Sequence, residues 1–548
     1  MADMDFWKPR TDGRGDASVV ASVARWRAAF VTLFLCLFLV KLLLAATLQP
    51  LGDEAFYWQE SRHLAWGYSD LPPLTAWLIR LGERIAGHGL LGMRWPFLLL
   101  GSALPWLMVS FGRRAWDARV GWQAGVLCLC LPLAGSLGVI AMPDVPLTVA
   151  GMVATLGLLR ALDDNRLRDW LVLGVALAFC WMTHYRAAMF MLAGLLLLLL
   201  TARGRNQWHR PGFWIAMAMA ALGLLPLAIS NWQQHGAGLA FQLIQRNPWR
   251  FHADALVQPL EQAVTCTPLL YVCLLWAAWR CWRRRHEGGP WDVIAIVSLT
   301  FIVVYFAAGL FADDERFRVH WPLPGYLPLL AALPLLLRDV GHVRGWRIVA
   351  VCGALLALLA QCVGLVYLGM AAYPATARWL GAARAVPTAF MGWHESAEIA
   401  KTQLAAQPAV LVADNFMMAA ELDFQFDGVR EIYTLDNPLN VKYGRAPQVA
   451  QWGMDETALR RMHPGANVLL VVDNYALRER ERSAWLKSLC VRVENLKPVQ
   501  HLSLFDGRKN VSFYQGNIAS AISVGVGERD DCVAWRALVD PARDAKER

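Results

Sequence analysis

The sequence predicts a polytopic α-helical membrane protein that carries an α/β domain on the outer side. Three observations lead there. Hydrophobic residues make up 57% of the 548 residues and charged residues 17%, with a mean hydropathy of +0.35. A soluble chain averages ~25% charged, so this apolar surplus has no place in water, and the composition is the reverse of a disordered one. The apolar residues gather in runs near the ~20 residues that cross a hydrocarbon core. Arginine clusters in alternate loops, whereas the last 180 or so residues break the apolar pattern and read as strands alternating with helices.

The first run covers 28–47. Its apolar core is too long for a signal peptide and no small-residue cleavage site precedes Leu51, so it reads as a retained helix. Further runs fall at 91–110, 121–140, 146–160, 169–183, 187–201, 212–230, 263–279, 291–311, 321–337 and 346–369. Together they predict about eleven transmembrane helices. Pro96, Pro105, Pro132, Pro226 and Pro334 lie inside runs, which membrane helices tolerate where neighbours satisfy the freed backbone groups.

One set of loops holds Arg113/Arg114/Arg119, Arg160/Arg166/Arg168, Arg203/Arg205/Arg210, Arg280/Arg283/Arg284/Arg285 and Arg338/Arg344/Arg347, and the N-terminal tail adds Lys8, Arg10, Arg14 and Arg25. The short loops of the other set hold few: none around Asp144, one at Arg186 and two at Arg316 and Arg318. The positive-inside rule places the first set in the cytoplasm. The net charge of +9 (52 Lys+Arg against 43 Asp+Glu) therefore reflects topology and calls for no nucleic acid. An odd number of spans puts everything beyond Gly369 outside. Residues 1–370 read as the multi-span domain, with long outer loops at 48–90 and 231–262, and 371–548 as the outer domain.

In that outer domain, Ala409-Val-Leu-Val-Ala-Asp and Asn467-Val-Leu-Leu-Val-Val-Asp are strand candidates. A helical pattern follows each, through Met417 and Leu422 in one case and over 478–489 in the other. No glycine-rich phosphate loop follows either strand, which disfavours nucleotide binding. Of eleven cysteines, only Cys490 and Cys532 lie in the outer domain. A disulfide between them suits an oxidising compartment, and two free thiols suit the sequence equally well.

Ionisable residues at membrane depth are costly and usually have a task. Four places qualify. Asp53-Glu54, followed by Tyr57, stands just past the first span; adjacent carboxylates there suit a general base with a hydrogen-bonding or metal partner, or simply a helix N-terminus. Tyr68-Ser-Asp70-Leu-Pro-Pro is a rigid loop carrying an acid, which can also cap the helix starting near Leu74. Asp144, in Met142-Pro-Asp-Val-Pro, occupies a short outer turn. Arg316-Phe-Arg318-Val-His320-Trp-Pro and His184-Tyr-Arg186 are cationic and lie at outer ends of spans, where arginine can hold a phosphate or snorkel to the interface. Arg246 and Arg250 on the second long loop are weaker phosphate candidates.

In this ordered combination the sequence resembles the GT-C superfamily of integral-membrane glycosyltransferases. It is most similar to the bacterial branch of aminoarabinose–lipid A transferases, lipopolysaccharide galacturonic acid transferases and relatives of protein O-mannosyltransferases. Asp53-Glu54 with Tyr57-Trp58 looks like the family's first-loop acidic motif, Trp66 to Pro73 its aromatic–Asp–Pro-Pro motif, Asp144 its second aspartate, and Val319-His-Trp-Pro322 with Tyr326 its basic His-Trp-Pro motif. Two departures are Leu71, where many relatives have His, and Thr183-His-Tyr-Arg186, where relatives often carry Lys before Tyr.

The resemblance implies an inverting transferase of the bacterial inner membrane, with its site and C-terminal domain on the periplasmic side. Its donor would be a polyprenyl-phosphate sugar and its acceptor lipid A or lipopolysaccharide core. Protein hydroxyls are the next acceptor. Asp53 would be the general base, with Glu54 and Asp144 positioning groups or stabilising the sugar cation. Arg186, Arg318 and His320, with Arg246 and Arg250 behind them, would bind the leaving phosphate, and Tyr57, Tyr68 and Asp70 the substrate. A divalent metal can be accommodated beside Asp53 and Glu54, but no obligatory cofactor follows. A polyprenyl-lipid flippase is the competing class; it would place ionisable residues at the midplane and show inverted repeats, neither of which is visible.

Overall fold

The computed structural model describes residues 17–233, 236–245, 250–311, 319–339, 344–373, 376, 379, 386–519 and 528–539. The chain divides into two compact units. One comprises 1–46, 71–78 and 94–366; the other comprises 47–70, 79–93 and 367–548. The helix after the first span is therefore described with the C-terminal segment.

The first unit is helical. Each apolar run is found as helix. Among the described residues six helices are long and apolar enough to cross a membrane, or up to eight if two bent pairs each count as one span. Several runs form shorter or bent helices for local reasons. Pro132 interrupts the run at 121–140, so its helix Ala118–Cys130 stops after 13 residues. Helices Leu167–Thr183 and Leu323–Asp339 have 17 residues each, at the lower limit of a span. Ala187–Leu200 turns by 99° into Ala202–His209, and Ala253–Cys266 by 112° into Pro268–Arg284. Thr267, at φ 66 just before Pro268, makes the second corner. The core is the apolar interior of the bundle, with Trp170, Phe301 and Tyr326 fully buried.

The second unit holds a five-stranded sheet: β1 (Val410–Ala413), β2 (Tyr433–Thr434), β3 (Asn467–Asp473), β4 (Val493–Leu504) and β5 (Lys509–Ile518). Its order is β2-β1-β3-β5-β4. β1 runs parallel to β2 and β3, and β5 runs antiparallel to β3 and β4. Alternate residues face opposite sides. Val412, Val468, Leu470 and Tyr514 enter one core; Leu411, Leu469, Val471 and Phe513 enter the other, against Trp393 and Ala397. Cys490 and Cys532 form a disulfide with a Cα–Cα distance of 5.5 Å. Closing a loop of this size, 42 residues apart in sequence, removes about 4 kcal/mol of unfolded-state freedom in the chain-entropy account.

Helix Gly52–Arg62 belongs to this unit and packs against helix Phe416–Gln425. Gly52 is needed for the approach, because a Cβ there would lie 3.0 Å from the Met417 Cβ. Phe56 meets Phe416 edge-on at 5.4 Å, and Trp58 meets Phe424 at 5.2 Å. The Trp58 indole N–H donates to Glu83 Oε1 at 2.6 Å, and Gln59 donates to Asp423 at 2.9 Å. The acidic loop is thus fixed to the C-terminal segment by apolar packing and by buried polar pairs.

Candidate active site

The two units each carry a cluster of charged side chains. In the second unit, Asp53, Tyr57 and Glu60 stand at i, i+4 and i+7 along helix Gly52–Arg62, hence on one face. The loop after this helix returns Asp70 to the same place. Tyr68 donates its hydroxyl to the Glu60 carbonyl at 2.8 Å. The Ser69 N–H donates to Gln448 at 3.0 Å, and the Ser69 hydroxyl donates to the Gly444 carbonyl. Gly444, at φ 70, makes the turn that delivers Arg445.

Arg445 is the centre of this cluster. Its Nη1 lies 2.6 Å from Asp70 and 3.4 Å from Glu60, and its Nη2 lies 3.5 Å from Asp53. Its guanidinium also covers the rings of Phe56 at 4.3 Å and Tyr57 at 5.0 Å. Arg445, Glu60 and Asp70 are buried, whereas Asp53 keeps a quarter of its side chain exposed. One cation faces three carboxylates, so not all can ionise cheaply. Burial, with Asp70 alongside, holds the Glu60 carboxyl well above its ordinary range. Burial also raises Asp70, against the opposing pull of Arg445. Glu60 is the member that keeps a proton. Asp53 is the exposed carboxylate of the set.

A prediction follows for Glu60→Gln. The folded pKa lies above the ordinary 4.5, so the native chain holds a proton that the unfolded chain releases, and stability falls as pH rises beyond about 4.5. Gln imitates the protonated acid at every pH. The variant should match the parent in thermal unfolding near pH 4 and exceed it as pH rises above that, with a change in turnover smaller than about tenfold.

Glu54 is fully buried and accepts the Leu51 N–H at 3.3 Å. Asp53 and Glu54 are therefore turned to different partners, and Arg445 already supplies positive charge at Asp53. Among the described residues no group of three or more His, Cys, Asp or Glu side chains is arranged to hold a metal ion. This pair fits a metal poorly. Asp70, expected as a substrate contact or as a cap for the following helix, bonds Arg445.

In the first unit, Asp144 opens helix Asp144–Asp164. Its Oδ1 accepts from Arg186 Nη2 at 2.6 Å and lies 3.3 Å from His320 Nε2. Trp321 lies under the Arg186 guanidinium at 5.4 Å. The Arg186 N–H donates to His184 Nδ1 at 3.1 Å. Arg186 is nearly buried, and its Nε has no hydrogen-bond partner among the described residues. Asp144, Arg186 and His320, widely separated in sequence, thus form one cluster. Arg250 is exposed and has no described contact with it. Arg246 and Arg318 lie outside the described residues.

Comparison with known proteins adds the frame. Residues 70–229 match the family model described as dolichyl-phosphate-mannose-protein mannosyltransferase. Lipid A galacturonosyltransferase RgtD of Rhizobium johnstonii is 27% identical over 50% of this chain and 58% of its own length. An undecaprenyl phosphate-α-4-amino-4-deoxy-L-arabinose arabinosyl transferase of Pseudomonas fluorescens is 25% identical over 60% of this chain and 64% of its own. The match thus spans about three-fifths of each relative. Two crystal structures of ArnT from Cupriavidus metallidurans, one bound to undecaprenyl phosphate and one in the apo state, superpose with TM-scores of 0.59 and 0.61. Identity is 16% and 15%, and each superposition covers 89% of this chain and 98% of ArnT.

The chain has the GT-C fold.

Within this GT-C fold, sequence reasoning missed Glu60 and Arg445. Glu60 had a signal, since it continues the Asp53–Tyr57 face by one more turn. Arg445 had none: it sits in a polar turn 392 residues from Asp53, and only the tertiary contact reveals it.

Proposed function

We propose that this protein is an inverting glycosyltransferase that moves a sugar from a polyprenyl-phosphate donor to an outer-facing envelope acceptor, lipid A or lipopolysaccharide core first. The observation that carries the reading is the Asp53–Arg445 cluster in a chain of GT-C fold: a partly exposed carboxylate held in place by a buried cation. The names of the two relatives, with lipid A and an undecaprenyl phosphate sugar in them, support the acceptor and donor classes. The loop arginines support an inner-membrane protein with the acidic loop in the periplasm.

In the reaction, the acceptor oxygen attacks the anomeric carbon as the bond to the phosphate oxygen breaks. The proton leaves the acceptor hydroxyl for Asp53, and the electron pair of the broken bond goes to the polyprenyl phosphate. A carboxylate is a much weaker base than an alkoxide, so the proton moves late, as the attacking oxygen becomes positive. Arg445 fixes the Asp53 carboxylate and Tyr57 lines the same face. Arg186 and His320 are assigned to the leaving phosphate. Asp144 orients both, and the Arg186 Nε supplies an uncommitted donor. Arg246, Arg250 and Arg318 remain proposed phosphate contacts.

The test is transfer by the purified full chain from undecaprenyl-phosphate sugars to lipid A, read by product mass. A lipid A or core species heavier by one sugar is expected. Movement of the carrier across vesicles without glycoside formation would overturn the enzyme in favour of a flippase. Arg186→Gln should raise the KM for the donor about tenfold or more while the acceptor KM holds, as expected for loss of a charge-assisted contact.

A further inference from the structure

The first unit contains a second feature that the transfer reaction does not use. A cavity of about 540 Å³ lies among helices Asp144–Asp164, Leu167–Thr183, Ala187–Leu200, Pro211–Leu222 and Trp291–Gly309. Its volume is in the range of small-molecule sites. Its wall is formed by side chains such as Leu173, Phe190, Trp208 and Phe213. The polar side chains in that wall are already engaged. The Thr155 hydroxyl donates to the Gly151 carbonyl at 2.8 Å, and the Gln207 amide donates to the Arg203 carbonyl at 2.9 Å. Such a wall recognises hydrocarbon and offers nothing to a polar ligand. The cavity draws on 154–162, 170–177 and 190–198, and neither Asp144 nor Arg186 lines it.

The rim has the opposite character. At Thr201 the chain turns by 99° into Ala202–His209. The Thr201 hydroxyl accepts the Gly204 N–H at 2.9 Å and fixes the corner. This short segment sends Trp208 to the cavity wall and leaves Arg205 and His209 exposed, with Arg210 next to them. Trp208, Phe213 and Trp214 pack together with centroids 5.1–6.0 Å apart, the aromatic composition of a membrane interface. Arg203 is spent on Asp163 and Asp292. Among the described residues no carboxylate pairs with Arg205, His209 or Arg210. The result is an apolar slot whose mouth is cationic.

We infer that this cavity holds an acyl chain of an anionic glycerophospholipid, with its phosphate at Arg205, His209 and Arg210. The occupant follows from charge complementarity. A chain-only ligand would leave the cations unused, and a zwitterionic headgroup would bring its own cation to them. Gly194, on the cavity wall, gives the direct probe, since a Cβ there would meet nothing within 4 Å. A longer side chain on this wall has room to fill part of the slot, and replacing glycine within a helix favours the helix.

The experiment is native mass spectrometry of the full chain in detergent, supplied with phosphatidylglycerol, phosphatidylcholine or undecaprenyl phosphate. The parent should retain one phosphatidylglycerol in preference to phosphatidylcholine, and Gly194→Leu should lose it. Arg205→Gln and Arg210→Gln should each cut the preference by about fivefold, the effect of one cation near an anionic lipid. Equal retention of the two phospholipids by the parent would overturn the assignment. So would unchanged retention in Gly194→Leu, or displacement of phosphatidylglycerol by undecaprenyl phosphate. The headgroup preference and the arginine variants keep the assignment open to refutation even if Gly194→Leu does not fold.

Discussion

Asp53→Asn should lower the rate of sugar transfer by about 10²–10⁴-fold, the usual contribution of a positioned general base, while the melting temperature of the protein stays close to that of the parent. Three features make this the sharpest test. Asp53 is the exposed member of its cluster, so the amide costs little packing. Its contact with Arg445 is the longest of the three, at 3.5 Å, so the guanidinium keeps its closer partners Asp70 and Glu60. The substitution removes basicity while preserving shape. The loss should fall on kcat and kcat/KM together, because the proton is taken in the transition state. Full activity in a folded Asp53→Asn protein would exclude Asp53 as the base and leave the GT-C fold untouched.

Arg445→Met should be the most destructive single change outside the bundle. It leaves the buried Asp70 carboxylate without its cation, a class of change that costs about 3–5 kcal/mol, and it frees Asp53 to turn. Both stability and transfer should fall. The two effects separate in a double variant. Adding Asp70→Asn removes the carboxylate nearest to Arg445, at 2.6 Å, and should recover part of the melting temperature without restoring transfer, because Asp53 still lacks its tether. Coupling of this kind between contacting residues is what a double-mutant cycle measures. Arg445→Lys should fall in between, since one ammonium cannot span three carboxylates as a planar fork does. A fully active Arg445→Met protein would show that the contact is structural only.

Much of the fold was legible because long apolar runs and short β-branched runs carry strong periodicity. The strand at 467–473 lies where Asn467-Val-Leu-Leu-Val-Val-Asp473 predicts it, and helix Glu479–Arg492 overlaps the expected 478–489. The β4–β5 hairpin was not foreseen. β4 is an edge strand with Pro498 and many exposed polar residues, so its alternation is weak. Its turn did carry a signal in Asp506-Gly507, now seen in left-handed conformation at φ 52 and 80. Hydropathy finds apolar runs but not the corners at Pro132, Thr201 and Thr267. The acidic loop and Asp144 were legible as isolated charges beside the membrane. Their partners were not: Arg186 and His320 lie on separate elements from Asp144, and Arg445 arrives from another part of the chain altogether.

That last separation has a consequence for biogenesis. Asp53 and Arg445 are 392 residues apart. At ~5–20 residues per second of synthesis, the ribosome adds the cation on the order of 20–80 s after the acids. Through that interval the nascent helix at 52–62 has neither its counter-charge nor the phenylalanines and methionine of 416–425 to cover Phe56. The carboxylate cluster is therefore a late product of translation, and an arrested chain that has already made every apolar run would still lack the cation at its centre.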